Sequence, residues 1–162
     1  MWEWINKFFF VTIPKNGKIL ILEEYNQNRT LLQKVLDKKF DVLTTTSKVA
    51  AYKIALEDKP DLIVLDSKLH GHKSIDLCIN FKNEEQTRNI PILVIADNGS
   101  NIAEYFFQGV KGYLIRPFSA KKLLDYVQDF MKNKQVAIDQ FGSPKLTHKR
   151  YEKVSIYRNT SL

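Results

Sequence analysis

Acidic side chains directly follow two short apolar stretches of the sequence, and an arginine follows a third. Glu23 and Glu24 end the first stretch, Asp66 ends the second, and Arg116 ends the last. Clustered carboxylates repel one another unless a cation neutralises them, and Mg²⁺ prefers such oxygen ligands. Asp66 could then act as a nucleophile toward phosphorus, with Arg116 beside a phosphoryl oxygen. Asp66 could equally be the first polar residue after a strand, and Arg116 could form a structural salt bridge.

These residues must be positioned by the elements that precede them. Short apolar strands alternate five times with amphipathic helical patterns between residue 18 and about residue 133. Strands are predicted at 19–22, 40–43, 61–66, 92–96 and 112–115, with Asn26, Ser47 and Ser119 as helix N-caps. This alternation predicts an α/β fold, a doubly wound five-stranded parallel sheet covered by helices on both faces. Strands one and three lie close together in that order, so their acids should converge.

Composition divides the 162 residues into three parts, 1–17, 18–133 and 134–162. The net charge is +7, and residues 134–162 carry six basic and two acidic side chains, so much of the excess lies in this tail. The single cysteine, Cys78, excludes a disulfide within the chain and fits a reducing compartment. We therefore expect one domain, 18–133, between an aromatic extension and a basic tail.

The two extensions leave several interpretations open. Residues 1–17 include Trp2, Trp4 and Phe8–Phe10, but the segment is shorter than the about 20 apolar residues that span a bilayer. It could be an extra element packed on the domain, a surface for a homodimer or partner, or an interfacial membrane anchor. The basic tail fits a solvated extension, with binding to nucleic acid or an anionic membrane as the weaker alternative.

Residues 18–132 resemble the receiver domain of two-component response regulators. The stretches that carry the resemblance are Lys18–Glu24, Pro60–Asp66, Asn89–Ile95 and Gly109–Phe118. They occur in the family's order and at its intervals. The resemblance implies the flavodoxin-like (βα)5 receiver fold and a role in phosphorelay signal transduction.

The resemblance also implies a role for each residue of the strand-end cluster. Asp66 matches the phosphoacceptor, Glu23 and Glu24 the acidic pair that holds Mg²⁺, and Lys68 the residue that lends the metal a backbone carbonyl. Three further positions match the family's conformational switch: Ala96 stands where a serine or threonine is usual, Tyr113 matches the aromatic, and Arg116 replaces a lysine.

Four departures from the family pattern lie in this one site. Glutamates replace aspartates at Glu23 and Glu24, Ala96 lacks a hydroxyl, and Arg116 is not a conservative substitute for lysine. Leu69-His70-Gly71 also replaces a Met-Pro pair after the acceptor. We therefore expect an atypical stand-alone receiver, cytoplasmic or membrane-associated, with weak Mg²⁺ binding and with phosphorylation of Asp66 impaired or absent. Such a receiver would act through a regulatory protein partner.

Other functions remain as alternatives. An ordinary single-domain response regulator would be phosphorylated on Asp66 by a histidine kinase with Mg²⁺. A phosphatase with an aspartate nucleophile would need a second aspartate where Lys68 stands, so we expect no enzyme. A flavodoxin-like cofactor site would need a phosphate loop where Glu23 and Glu24 stand. His70 and His72 could bind a transition metal, although no cysteine cluster supports this.

Overall fold

Five parallel strands form one sheet in the computed structural model, which describes residues 15–69 and 74–140. The strands are β1 (Lys18–Leu22), β2 (Asp41–Thr45), β3 (Leu62–Asp66), β4 (Ile92–Ala96) and β5 (Gly112–Ile115). The helices are α1 (Asn26–Leu36), α2 (Lys48–Asp58), α3 (Ser74–Asn83), α4 (Ile102–Phe107) and α5 (Ala120–Gln140). The predicted α/β fold is confirmed.

The strand order β2-β1-β3-β4-β5 brings the functional strand ends together. β1 and β3 are hydrogen-bonded neighbours with Leu22 opposite Leu65, and Asp66 lies opposite Ile95 of β4. The expected proximity of strands one and three is therefore confirmed. All the strands run in the same direction, so their carboxyl ends lie at one edge of the sheet.

The sheet is buried on both faces, as the continuous apolar runs of β3 and β4 predict. Leu20, Ile63 and Ile92 belong to a core shared with helices α2 to α4, whose largest fully buried side chain is Phe81. The alternate residues of the strands point the other way, and the α1 residues Leu32, Val35 and Leu36 are buried as well. Burial on both faces leaves the strand ends as the place where polar side chains gather.

Two details of the elements differ from the prediction, and the caps of α2 and α5 agree with it. β2 spans Asp41–Thr45 rather than 40–43, because its two threonines extend a half-buried strand that hydrophobicity alone does not reveal. Tyr25, not Asn26, occupies the N-cap of α1. Ser47 does cap α2, since its hydroxyl accepts a hydrogen bond from the Ala50 amide, and Ser119 caps α5 in the same way.

The chain divides into two compact units, the first ending at Leu124 and the second beginning at Asp125. The first unit contains the sheet and α1 to α4. In the second unit, Tyr126 and Phe130 stack with ring centroids 6.4 Å apart. α5 continues to Gln140, beyond the boundary expected at 133, and the division into 1–17, 18–133 and 134–162 stays a prediction. Among the described residues, no helix combines the length and apolar character needed to cross a membrane.

Candidate functional site

Backbone hydrogen bonds of the sheet fix the residues that follow the strands. The Glu23 amide donates to the Thr45 carbonyl at the end of β2, and the Ser67 amide donates to Ile95 of β4. The Arg116 amide donates to the Ala96 carbonyl at 2.8 Å. Glu23, Asp66 and Arg116 therefore lie at the carboxyl ends of β1, β3 and β5, on the same edge of the sheet, although they are far apart in sequence.

The Arg116 guanidinium lies between the two buried carboxylates. Its Nη2 atom is 2.5 Å from Oδ2 of Asp66 and 3.2 Å from Oε2 of Glu23. Its Nη1 atom is 3.5 Å from Oδ1 of Asp66. Glu23 is 1% exposed and Asp66 is 3% exposed, so both carboxylates are shielded from solvent, while the Arg116 side chain is 23% exposed. We call these three side chains the Arg–Glu–Asp cluster.

Two backbone amides satisfy the remaining carboxylate oxygens of the cluster. The Tyr25 amide donates to Oε1 of Glu23 at 2.8 Å, and the Lys68 amide donates to Oδ1 of Asp66 at 2.7 Å. Every carboxylate oxygen of Glu23 and Asp66 thus has a donor. Such satisfaction is what a buried charged pair requires in order to be stable.

The two carboxyl groups of the cluster differ in their affinity for a proton. The pKa of Glu23 is raised from 4.5 to about 7, mainly by burial and to a lesser extent by the hydrogen bond with Asp66. Burial also raises the pKa of Asp66, but the hydrogen bonds from Glu23, Arg116 and the Lys68 amide outweigh it and hold the pKa below its usual range. Asp66 is therefore the anion that faces Arg116, in agreement with the shorter of the two distances, and Glu23 is the carboxyl group that takes up a proton as the pH falls below about 7.

This difference predicts that Glu23→Gln flattens the pH dependence of stability. The pKa of Glu23 is higher in the folded protein, so the folded state binds the proton more tightly and its free energy of unfolding falls as the pH rises from about 5 to about 8. We expect this fall to be on the order of 2 kcal/mol in the wild type and absent from the variant. Urea unfolding across that pH range measures it.

The matched control is Glu85→Gln, which changes an exposed glutamate. This variant should keep the wild-type slope. The lowered pKa of Asp66 contributes only in more acidic solution, where stability is lost as the pH falls through it, so it does not affect the window. A Glu23→Gln slope equal to that of the wild type would contradict the assignment of the proton to Glu23.

Asp97 is a member of the site that the sequence analysis did not select. It directly follows β4, and its Oδ2 atom lies 2.6 Å from Nζ of Lys68. Its Oδ1 atom is 3.9 Å from Nη1 of Arg116. The rule that selects Asp66, a carboxylate at the end of a buried strand, also applies to Asp97.

The remaining residues of the prediction lie around the cluster. Glu24 is half-buried, and its carbonyl accepts a hydrogen bond from Arg29. Ala96 is fully buried at the end of β4. Tyr113 is half-buried, and its ring lies edge-on to that of Phe106 with the two ring centroids 5.6 Å apart. A cavity of about 370 Å³ borders the cluster and is lined by Tyr25, Asn26, Gln27, Asn28, Asp66, Lys68, Asp97 and Arg116.

The donor atoms of this arrangement do not fit the Mg²⁺ ion that the resemblance implies. A metal would need free carboxylate oxygens, but those of Glu23 and Asp66 are engaged by Arg116 and the two amides. Within the described parts of the chain, no group of three or more histidine, cysteine, aspartate or glutamate side chains is arranged to hold a metal. The metal set Glu23, Glu24, Asp66 and Lys68 stays a prediction.

Several predicted features lie outside the described residues. They are the possible metal ligands His70 and His72, the aromatic segment 1–14, and the basic tail from residue 141 onward.

The family assignment comes from comparison with known proteins. The model of the response regulator receiver domain matches residues 19–128. Chemotaxis protein CheY-3 of Vibrio cholerae is 29% identical over 115 residues, which cover 68% of this chain and 88% of that protein. The regulatory protein PhoP of Bacillus subtilis is 29% identical over 123 residues, 75% of this chain and 51% of that protein. Histidine kinase P4 of Formosa agariphila is 24% identical over 83% of this chain, but the match covers only 10% of the kinase.

Solved structures agree on the fold. The receiver domain of a LuxO repressor protein from Vibrio parahaemolyticus matches with a TM-score of 0.66 and 20% identity, covering 75% of this chain and 95% of that one. CheY4 of Vibrio cholerae matches with a TM-score of 0.64 and 22% identity, covering 70% of this chain and 97% of that one. The family itself follows from the match of its model to residues 19–128: the chain belongs to the response regulator receiver domain family.

Proposed function

We propose that this protein is an atypical receiver that signals through protein–protein contact, with phosphorylation of Asp66 impaired. The observation that carries the proposal is the position of Arg116, whose guanidinium lies 2.5 Å from Asp66 and 3.2 Å from Glu23. In this arrangement a cation of the chain itself neutralises the acidic site. Receiver domains typically bind Mg²⁺ there, and are signalling modules rather than enzymes.

Phosphoryl transfer would require the Arg–Glu–Asp cluster to open. The nucleophilic oxygen of Asp66 must approach phosphorus, yet Oδ2 is held by Arg116 and Oδ1 by the Lys68 amide. A metal ion would also have to displace the guanidinium from Glu23. Separating a buried pair that is fully hydrogen-bonded is costly, because each carboxylate left behind is uncompensated. The ground state of the site therefore opposes the reaction.

Two further features weaken the stabilisation of a transferred phosphoryl group. Ala96 offers no hydroxyl at the end of β4, so a phosphoryl oxygen would find one donor fewer there. The Lys68 ammonium is paired with Asp97 at 2.6 Å, and this pairing raises the pKa of Lys68. Preorganised donors are the main means by which a protein stabilises a developing negative charge. Their scarcity here supports slow or absent phosphorylation.

The proposed partner is a protein of a two-component pathway. Receiver domains interact with histidine kinases, and the relatives of this chain include a protein named as a histidine kinase. The chain spans a tenth of the length of that kinase and about half of the length of PhoP, so the whole activities of these proteins do not transfer to it. We propose recognition by a kinase or another regulatory protein that reads the receiver surface without requiring a phosphoryl group.

Incubation with acetyl phosphate and Mg²⁺, followed by intact mass measurement, tests the proposal. We expect no phosphate-sized gain in the wild type. The double variant Arg116→Lys/Ala96→Thr replaces the guanidinium with an ammonium group and supplies a hydroxyl. This variant should show the phosphate-sized gain in mass. Adding Asp66→Asn to that double variant should abolish the gain and so identify the acceptor.

A phosphate-sized gain in the wild type that disappears in Asp66→Asn would overturn the proposal. The protein would then be an ordinary response regulator phosphorylated on Asp66. The substitutions at Ala96 and Arg116 would in that case tune the rate or lifetime of the phosphorylated state. Circular dichroism of each variant confirms that a negative result comes from a folded protein.

A further inference from the structure

Two hydrogen-bonded hydroxyl groups, of Ser74 and Tyr105, connect the residue after Asp66 to helix α4. The Ser74 hydroxyl, at the first residue of α3, donates a hydrogen bond of 2.9 Å to the Ser67 carbonyl. Its single proton is used in that bond, so the Tyr105 hydroxyl of α4 must donate to the Ser74 oxygen. Ser74 is 1% exposed and Tyr105 is 8% exposed, so the connection is buried.

Tyr105 is the residue that anchors α4. This helix has only six residues, and Tyr105 is its buried side chain. The neighbouring Phe107 side chain, by contrast, is 83% exposed. The inward position belongs instead to Tyr105, whose hydroxyl reaches α3. A six-residue helix is too short to be stable without such an anchor.

Ser67, at the other end of this connection, directly follows Asp66, the candidate phosphoacceptor. Asp66 Oδ1 accepts the Lys68 amide at 2.7 Å, which closes a turn with Ser67 in its middle. The Ser67 amide donates to Ile95, and its carbonyl accepts from Ser74. The Ser67 carbonyl and the Lys68 amide belong to the same peptide unit, so a change that breaks the bond between Asp66 and the Lys68 amide removes one of the contacts that hold the unit bonded to Ser74.

We propose that Tyr105 is a positioning residue that transmits the state of Asp66 to α4 through the hydroxyl of Ser74. Ala96 carries no hydroxyl that could make a comparable link from β4, whereas the Ser67–Ser74–Tyr105 connection is complete in the structure. The proposal rests on the proposed function, since α4 would be part of the surface that a partner contacts. Contiguity alone does not establish coupling, so the test is a double-mutant cycle.

The cycle combines Asp66→Ala with Tyr105→Phe in the full chain, and amide hydrogen exchange of residues 102–107 is the measurement. We expect Asp66→Ala alone to accelerate this exchange roughly fivefold, about the effect of one lost hydrogen bond. Tyr105→Phe alone should do the same, because it removes only the hydroxyl. Adding Asp66→Ala to Tyr105→Phe should then cause little further change. A second cycle with Ser74→Ala in place of Tyr105→Phe should give the same result, because the Ser74 hydroxyl is the middle of the connection.

Tyr52→Phe is the matched control, because it removes another tyrosine hydroxyl, one that donates to Glu84 at 3.2 Å. In that background Asp66→Ala should keep its full effect on α4. Equal effects of Asp66→Ala in the wild type and in Tyr105→Phe, or no effect in either, would overturn the proposal. Asp66→Leu serves if the alanine variant does not fold. Phosphorylation of the wild type would refute only the proposed function, since exchange is measured without a phosphoryl donor.

Discussion

Replacing Arg116 with methionine should lower the free energy of unfolding by about 3 kcal/mol at pH 8, since a buried pair then loses its cation. Methionine fills much of the same space but leaves Glu23 and Asp66 facing each other as anions. The loss should be much smaller near pH 5, because a shared proton relieves the repulsion there. Urea unfolding at the two pH values measures both effects.

Two variants define what the Arg116 result means. Arg116→Lys keeps a cation at the site and should lose less stability than the methionine variant. Arg88→Met removes an arginine that is paired with the exposed Glu85 at 3.5 Å, and should change stability by less than about 0.5 kcal/mol. A loss in Arg116→Met that is independent of pH would mean that packing, not charge, is what the guanidinium supplies.

The same variant also shows whether the guanidinium occupies the place of a metal. In Arg116→Met the carboxylates regain free oxygen atoms, so Mg²⁺ should raise the midpoint of unfolding of that variant. The wild type should show no such dependence on Mg²⁺. An equal shift in both proteins would indicate a cation site elsewhere and would separate Arg116 from metal binding.

Replacing Phe81 with alanine should destabilise the protein by about 3–5 kcal/mol, the range for a buried aromatic that leaves a cavity. Phe81 is fully buried in the core shared by β1, β3, β4 and helices α2 to α4. Its ring stacks on Tyr52 with centroids 5.6 Å apart, so the substitution removes an aromatic pair as well as apolar area. Thermal or urea unfolding measures the change.

Phe107→Ala is the control, because it makes the same substitution at a side chain that is 83% exposed. We expect it to alter the free energy of unfolding by no more than about 0.5 kcal/mol. Similar losses in the two variants would mean that the exposed ring of α4 packs against something in solution.

The fold and the position of Asp66 were accessible from the sequence, because both depend on local patterns. Runs of apolar residues that end on a polar residue mark buried parallel strands and their carboxyl ends. Strand order then places the ends of β1 and β3 side by side. β2 was less accessible, since Thr44 and Thr45 are half-buried on a strand with one neighbour in the described sheet, and apolar periodicity is weak there.

The contacts within the site were less accessible, because they depend on side-chain geometry across the sheet. The sequence allowed Arg116 to pair with either a phosphoryl oxygen or Asp66, and only the three-dimensional structure shows the guanidinium between Asp66 and Glu23. The link between Ser74 and Tyr105 joins residues 31 positions apart, and nothing in either local pattern indicates it. Such a contact depends on how the helices pack in three dimensions. The hydrophobic periodicity of a single sequence does not reveal it.

The Arg–Glu–Asp cluster has a consequence for how the protein would respond to its surroundings. A dissolved metal ion occupies a site according to its concentration, and a chelator can remove it. Arg116 is tethered to β5, so its effective concentration at the carboxylates is set by the fold alone. The charge state of this site would therefore respond to pH, through Glu23, and to contacts that move the tether, rather than to cellular Mg²⁺ levels.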